Sequence, residues 1–94
     1  MITVLNYEIK QDGDTIVEMP YGSEILSAKE FHRSITVWAL VDTESTPIQR
    51  KFHVYKTGKE IDRKDIKHLT YIDTIEDYSE SFVWHVFEYQ YQGG

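Results

Sequence analysis

Apolar residues in this chain recur at every second position, and the residues that carry the pattern are mostly Val, Ile, Thr, Tyr, Phe and Trp. A period of two is the period of a strand, whose successive side chains point to opposite faces, and β-branched and aromatic groups suit a pleated, half-buried surface. Strands are therefore expected over Thr3 to Ile9, Thr15 to Glu18, Glu24 to Phe31, Ile35 to Val41, Gln49 to Tyr55, Thr70 to Ile75 and Ser81 to Tyr91. Ile35, Val37, Ala39 and Val41 alternate with Thr36, Trp38 and Leu40, and Phe82, Trp84 and Val86 alternate with Val83, His85 and Phe87. With large apolar groups on both faces, these two strands are expected to be central ones, the first of them covered twice. Gln49 to Tyr55 sets Phe52 and Val54 against Lys51, His53 and Tyr55, which predicts one wet face.

The punctuation between strands is polar. Gln11-Asp12-Gly13-Asp14 predicts a hairpin joining the first two strands, because Asp-Gly tolerates the positive φ of a tight turn. Pro20-Tyr21-Gly22-Ser23 predicts a second turn, with proline fixing one φ and glycine accepting the left-handed position. Thr43 to Pro47 and Glu76 to Glu80 read as connections, and the weaker pattern from Thr57 to His68 supports no more than a short helical turn near residues 60–68. Six to seven short strands predict an all-β fold, a small antiparallel sandwich or partly open barrel, since one sheet would leave too much apolar surface uncovered. A chain of 94 residues has material for one core, so residues 1–94 form a single domain, with 92–94 expected to fray.

Composition narrows the chemistry. A 40% apolar share supports a packed core, and the lack of any long apolar run argues against a membrane-spanning helix. The start, Met1 to Glu8, has neither the basic nor the apolar region of a secretory signal, so no export is expected. Without cysteine there is no disulfide framework, zinc ribbon or thiol catalysis. His32, His53, His68 and His85 show no metal-ligand spacing, and no serine lies in a Gly-x-Ser-x-Gly elbow, so neither a metal, a cofactor nor catalytic residues are expected. His85, between Trp84 and Val86, reads as a hydrogen-bonded core histidine.

Charge is divided unevenly. The chain carries a formal net charge of -6, yet the segment from Arg50 to His68 holds seven basic residues against three acidic ones, a net of +4 that leaves -10 for the remainder. A basic segment on an acidic body suits an anionic ligand, because the local field dominates at short range, while the overall acidity disfavours duplex DNA. Thr57-Gly58-Lys59 could contact an anion through exposed backbone N–H groups and an ammonium, though it lacks the pattern of a nucleotide phosphate loop, with His53 and Glu60 standing where glycine and Ser or Thr are needed. The thirteen aromatics exceed what so small a core can hold. Phe87, Tyr89 and Tyr91 share a face of the last strand, and an interface in a homo-oligomer is their expected use.

Several stretches, among them Met19-Pro20-Tyr21-Gly22-Ser23-Glu24-Ile25-Leu26-Ser27, Val37-Trp38-Ala39-Leu40-Val41-Asp42, Arg50-Lys51-Phe52-His53-Val54-Tyr55, Tyr71-Ile72-Asp73-Thr74 and Phe82-Val83-Trp84-His85-Val86-Phe87-Glu88, resemble a family of short proteins encoded by tailed bacteriophages and prophages. The chain departs from that family's Gly-Thr-Gly-His-Pro-like segment, reading Lys56-Thr57-Gly58-Lys59-Glu60 at that place. The resemblance implies a protein working in the host cytoplasm against host functions. It points to a non-catalytic counter-defence binding protein, most concretely a sponge for an anionic cyclic nucleotide immune signal. Such a sponge needs cations for phosphates and aromatic faces for bases. Arg50, Tyr55, Lys56, Thr57, Gly58, Lys59 and Arg63 are the candidate ligand-binding residues. The alternative is an inhibitor that docks on a host protein through an acidic or aromatic surface.

Overall fold

Seven strands and one short helix follow one another along the chain: β1 (Ile2–Ile9), β2 (Gly13–Pro20), β3 (Glu24–Phe31), β4 (Ser34–Asp42), β5 (Pro47–Lys56), α1 (Arg63–Ile66), β6 (Leu69–Asp77) and β7 (Phe82–Tyr89). The computed structural model describes residues 1–77 and 81–90. The expected frayed end at 92–94, the Tyr91 position and part of the Glu76 to Glu80 connection lie outside them. The strands form two antiparallel sheets, of order β1-β4-β3 and β2-β5-β7-β6, a small all-β sandwich. Period-two alternation builds its core: Ile9, Ala28, Ile35 and Val37 from one sheet meet Val17, Met19, Phe52, Val54, Ile75, Trp84 and Val86 from the other.

The Asp12-Gly13 segment is not a hairpin. β1 pairs with β4 from Ile2↔Asp42 to Ile9↔Ile35, and β2 pairs with β5 from Gly13↔Val54 to Pro20↔Pro47, so the two strands belong to different sheets. Each finds a full-length partner elsewhere, and the chain crosses between layers at Lys10, whose N–H donates to Thr15 Oγ1 at 2.8 Å. Gly13 keeps the positive φ, 88°, that the dipeptide predicts, but uses it to enter a strand. Pro20 to Ser23 forms the expected turn, with Gly22 at φ 80° and Ser23 N–H donating to Pro20 O at 3.2 Å, and it too passes between sheets.

β3 and β4 do form a hairpin, through His32 and Arg33, both at positive φ (51° and 67°), and β6 and β7 also pair as antiparallel neighbours in sequence. Both central residues of a two-residue hairpin turn at positive φ is the pattern that Asn-Gly usually fills. The helical turn expected near 60–68 is α1, started by Asp62, whose Oδ1 accepts from Lys64 N–H at 3.0 Å.

β4 and β7 both lie inside their sheets, as their two apolar faces predict. The expectation that β4 is covered twice is corrected. Ile35, Val37, Ala39 and Val41 are buried against the other sheet, whereas Leu40 is exposed and Trp38 only half-buried on the outer side.

Candidate functional site

The strand alternation sends the candidate residues in two directions. Arg50 shares the inward side of β5 with Phe52 and Val54, while Tyr55 shares the outward side with Lys51 and His53. Inside, the Arg50 guanidinium donates from Nε to Glu88 Oε2 at 2.5 Å and from Nη2 to Glu88 Oε1 at 2.6 Å, and Nη1 donates to Ser23 O at 2.5 Å. The Glu88 carboxylate neutralises it there, and the contact to Ser23 ties the Pro20 to Ser23 turn to the four-stranded sheet. A cleft of about 360 Å³ at this end of β5 and β7 is lined by Ile16, Ile48, Arg50, Lys51, Glu88 and Tyr89 among others. Its two cations are each matched by an acid, Arg50 by Glu88 and Lys51 by Asp14 at 3.2 Å, so it presents no net positive field.

Outside, β5, β7 and β6 carry a continuous aromatic surface. His53 stacks on Tyr55 with centroids 4.0 Å apart, Tyr55 meets Phe87 edge-on at 5.7 Å, and Phe87 meets Tyr71 at 5.8 Å. Tyr89 lies between His68 and the Lys51 ammonium, which sits 4.9 Å from its ring centroid. Phe87 and Tyr89 therefore pack on their own sheet.

Tyr55 is itself buried. Burial, together with the carboxylates of Asp65, Asp14 and Asp62, pushes its hydroxyl above the usual tyrosine range. Those carboxylates would repel a phosphate laid on this ring. Across β2 and β5, Asp14 stands directly opposite His53 and the two side chains are in contact. Burial alone would raise the Asp14 carboxyl, but hydrogen bonds from His53 and Lys51 outweigh it and hold the group below its ordinary value.

His85 is hydrogen-bonded as expected, but on the outer face of the sheet, not in the core. Its Nε2 lies 2.6 Å from Thr57 Oγ1 and its Nδ1 3.2 Å from Thr74 Oγ1, which in turn lies 2.7 Å from Tyr71 Oη. Thr57 also donates its N–H to Val83 O at 3.0 Å, so this residue anchors the start of the 57–68 segment to β7. Gly58, at φ 90°, closes the turn in which Lys59 N–H donates to Lys56 O at 2.9 Å. Lys56 is held with its ammonium 3.5 Å from the Phe82 ring centroid.

The remaining basic residues are exposed. Lys59 and Arg63 project from the turn and from α1, and Lys67 follows Arg63 by four positions, which puts both on one side of the helical turn. Among the described residues no carboxylate lies within 4 Å of Lys59, Arg63 or Lys67, whereas Lys64 approaches Asp62 at 3.9 Å. The candidate set thus divides: Arg50 belongs to the interior, Tyr55 to the packed outer face, Thr57 and Gly58 to the anchoring turn, and Lys59 and Arg63 to the exposed segment 59–67, where Lys67 joins them and Glu60, Asp62 and Asp65 are interspersed. Lys67 lies in the same basic run and could have been added on its spacing from Arg63. The Asp14–His53 and Thr57–His85–Thr74 contacts join residues far apart in sequence and leave no local signal.

Among the described residues no three His, Asp or Glu side chains converge as a metal site would require. No helix is long and apolar enough to cross a membrane. Neither the curated proteins nor the solved structures include a match to this chain. The model of a protein family described as a domain of unknown function, DUF7352, matches residues 1–93. With nearly its whole length matched, the chain belongs to the DUF7352 family.

Proposed function

We propose that this protein is a non-catalytic binding protein for an anionic ligand, most concretely a cyclic nucleotide signal, and that the ligand meets the exposed surface of residues 59–67. The observation that carries this reading is the trio Lys59, Arg63 and Lys67, solvent-exposed and without a carboxylate partner among the described residues of a chain whose net charge is -6. Two like charges four apart on a helical turn repel, and an anion between them removes that repulsion. The resemblance to short phage proteins makes a host immune signal the first ligand class to test, with the host cytoplasm as the place of action. Arg50 and Tyr55 have no direct part in the contact, the first because Glu88 already neutralises it, the second because it is buried beside carboxylates.

The test is isothermal titration of the purified chain with cyclic dinucleotides and cyclic ADP-ribose at two salt concentrations. Binding that weakens with salt and is lost in the triple variant Lys59→Ala/Arg63→Ala/Lys67→Ala supports the reading. Binding that the triple variant retains, or none across the panel, contradicts it.

A second reading, docking on a host protein, draws on Ile16, which stands exposed between Asp14 and Glu18 on the edge strand β2. It is favoured instead if the protein captures a stoichiometric protein partner whose binding Ile16→Lys abolishes.

A further inference from the structure

The two outer faces of the sandwich are unlike. That of the four-stranded sheet is occupied by its own stacked rings and by the His85 hydrogen bonds. That of the three-stranded sheet carries large apolar groups in the open: Ile2 is 70% exposed, Val4 47%, Phe31 47% and Leu40 38%, around a half-buried Trp38. The register defines the rows of this face. Val4 and Glu24 flank Leu40, Asn6 and Ser27 flank Trp38, Glu8 and Lys29 flank Thr36, and Phe31 lies beside Ser34. Trp38 stands at the centre of this face, edge-on to Phe31 at 5.7 Å, with Leu40 and Val4 one row along from it, and exposed apolar groups gathered in this way mark an interaction surface.

The charges on this face say which sheet. Glu8 on β1 and Lys29 on β3 stand on opposite sides of the same row, and neither has an ion-pair partner among the described residues; Glu8 accepts only from Ser34 Oγ at 3.0 Å. A two-fold axis lying parallel to β4 between two such faces sets β1 of one copy over β3 of the other and leaves every row at its own height. Each Glu8 then meets the partner's Lys29. Asn6 meets the partner's Ser27, an amide against a hydroxyl, and Trp38 and Leu40 meet their own counterparts on the axis. A surface that is complementary to itself under a two-fold is the signature of an isologous interface. Face-to-face sheets pack at about 10 Å, the distance at which such side chains interdigitate.

We propose that the outer face of the three-stranded sheet is a homodimer interface, with a two-fold axis along β4 that pairs Glu8 of each copy with Lys29 of the other. Three strands of eight or nine residues, about 4.8 Å apart, give a footprint below that of a standard stable interface, so the dimer is weak and dissociates reversibly on dilution. The proposal does not depend on the ligand reading, since residues 59–67 lie on neither β1, β4 nor β3.

Sedimentation equilibrium on the full chain tests it. The wild type is expected to form a dimer, Glu8→Lys and Lys29→Glu each to weaken association about tenfold or more, and the double variant to restore it. Both positions are exposed, and far-UV circular dichroism checks that each variant keeps its sheets. A third variant, Trp38→Ser, is expected to leave only monomer. A wild type that stays monomeric, a dimer indifferent to either charge reversal, or reversals that fail to rescue one another would overturn the proposal. So would a face that crosslinks through position 40 only to a different protein.

Discussion

Arg50 and Glu88 form a two-point ion pair inside the sandwich, with side chains only 17% and 9% exposed. A buried pair of this kind stabilises little relative to an apolar pair, yet breaking it leaves one charge without a partner. Arg50→Met is therefore expected to destabilise the fold by about 3–5 kcal/mol, read from urea unfolding, with Arg50→Met/Glu88→Leu recovering much of the loss. Arg50→Lys is expected to fall between, because an ammonium cannot reproduce the fork that spans both carboxylate oxygens and Ser23 O.

The hairpin between β3 and β4 gives a prediction of opposite sign. His32 and Arg33 hold positive φ against the clash of a Cβ with the neighbouring carbonyl, a cost of about 1 kcal/mol for each residue. His32→Asn/Arg33→Gly is expected to stabilise the protein by about 1 kcal/mol or more, seen as a higher urea midpoint with an unchanged slope.

Asp14 sets the acid side of the stability profile. Its carboxyl is held below its ordinary value of 3.8, so the stability it contributes is full above that value and is lost as the pH falls through the lower folded one. Wild type should lead Asp14→Asn at neutral pH, and the lead should shrink as the pH falls below 3.8 in parallel urea titrations.

Tyr55 acts on the alkaline side. Burial and the nearby carboxylates raise its hydroxyl above 10.0, so the neutral ring's contribution is full below that value and is lost as the pH rises through the raised one. Tyr7, raised by burial, adds in the same direction. The loss of stability above pH ~10 should be smaller in Tyr55→Phe than in the wild type, measured by thermal unfolding across the range.

The strands were legible because each has a wet face or a buried one that writes itself as a period of two; β3 is read at its full span, Glu24 to Phe31. Partnering was not legible. Asp12-Gly13 carries the strongest local hairpin signal and joins two sheets, while His32-Arg33 carries none and makes a hairpin. Local turn chemistry says where a chain can bend; which strand it then pairs with depends on registers set dozens of residues away. The same holds for the site. The positive segment can be counted along the chain, and Lys59 and Arg63 follow from it, but Arg50 belongs to that run only in sequence. Strand alternation turns it inward to Glu88, 38 positions on, and no spacing rule announces that pair.

Native mass spectrometry of the protein purified from the cells that make it reads subunit number and bound small mass together, and so decides whether residues 59–67 hold an anionic ligand. The expected result is a protein that carries an anionic nucleotide mass, absent when Lys59, Arg63 and Lys67 are replaced by alanine. A protein that carries no small mass, or a triple variant that keeps it, would rule out ligand binding at these residues.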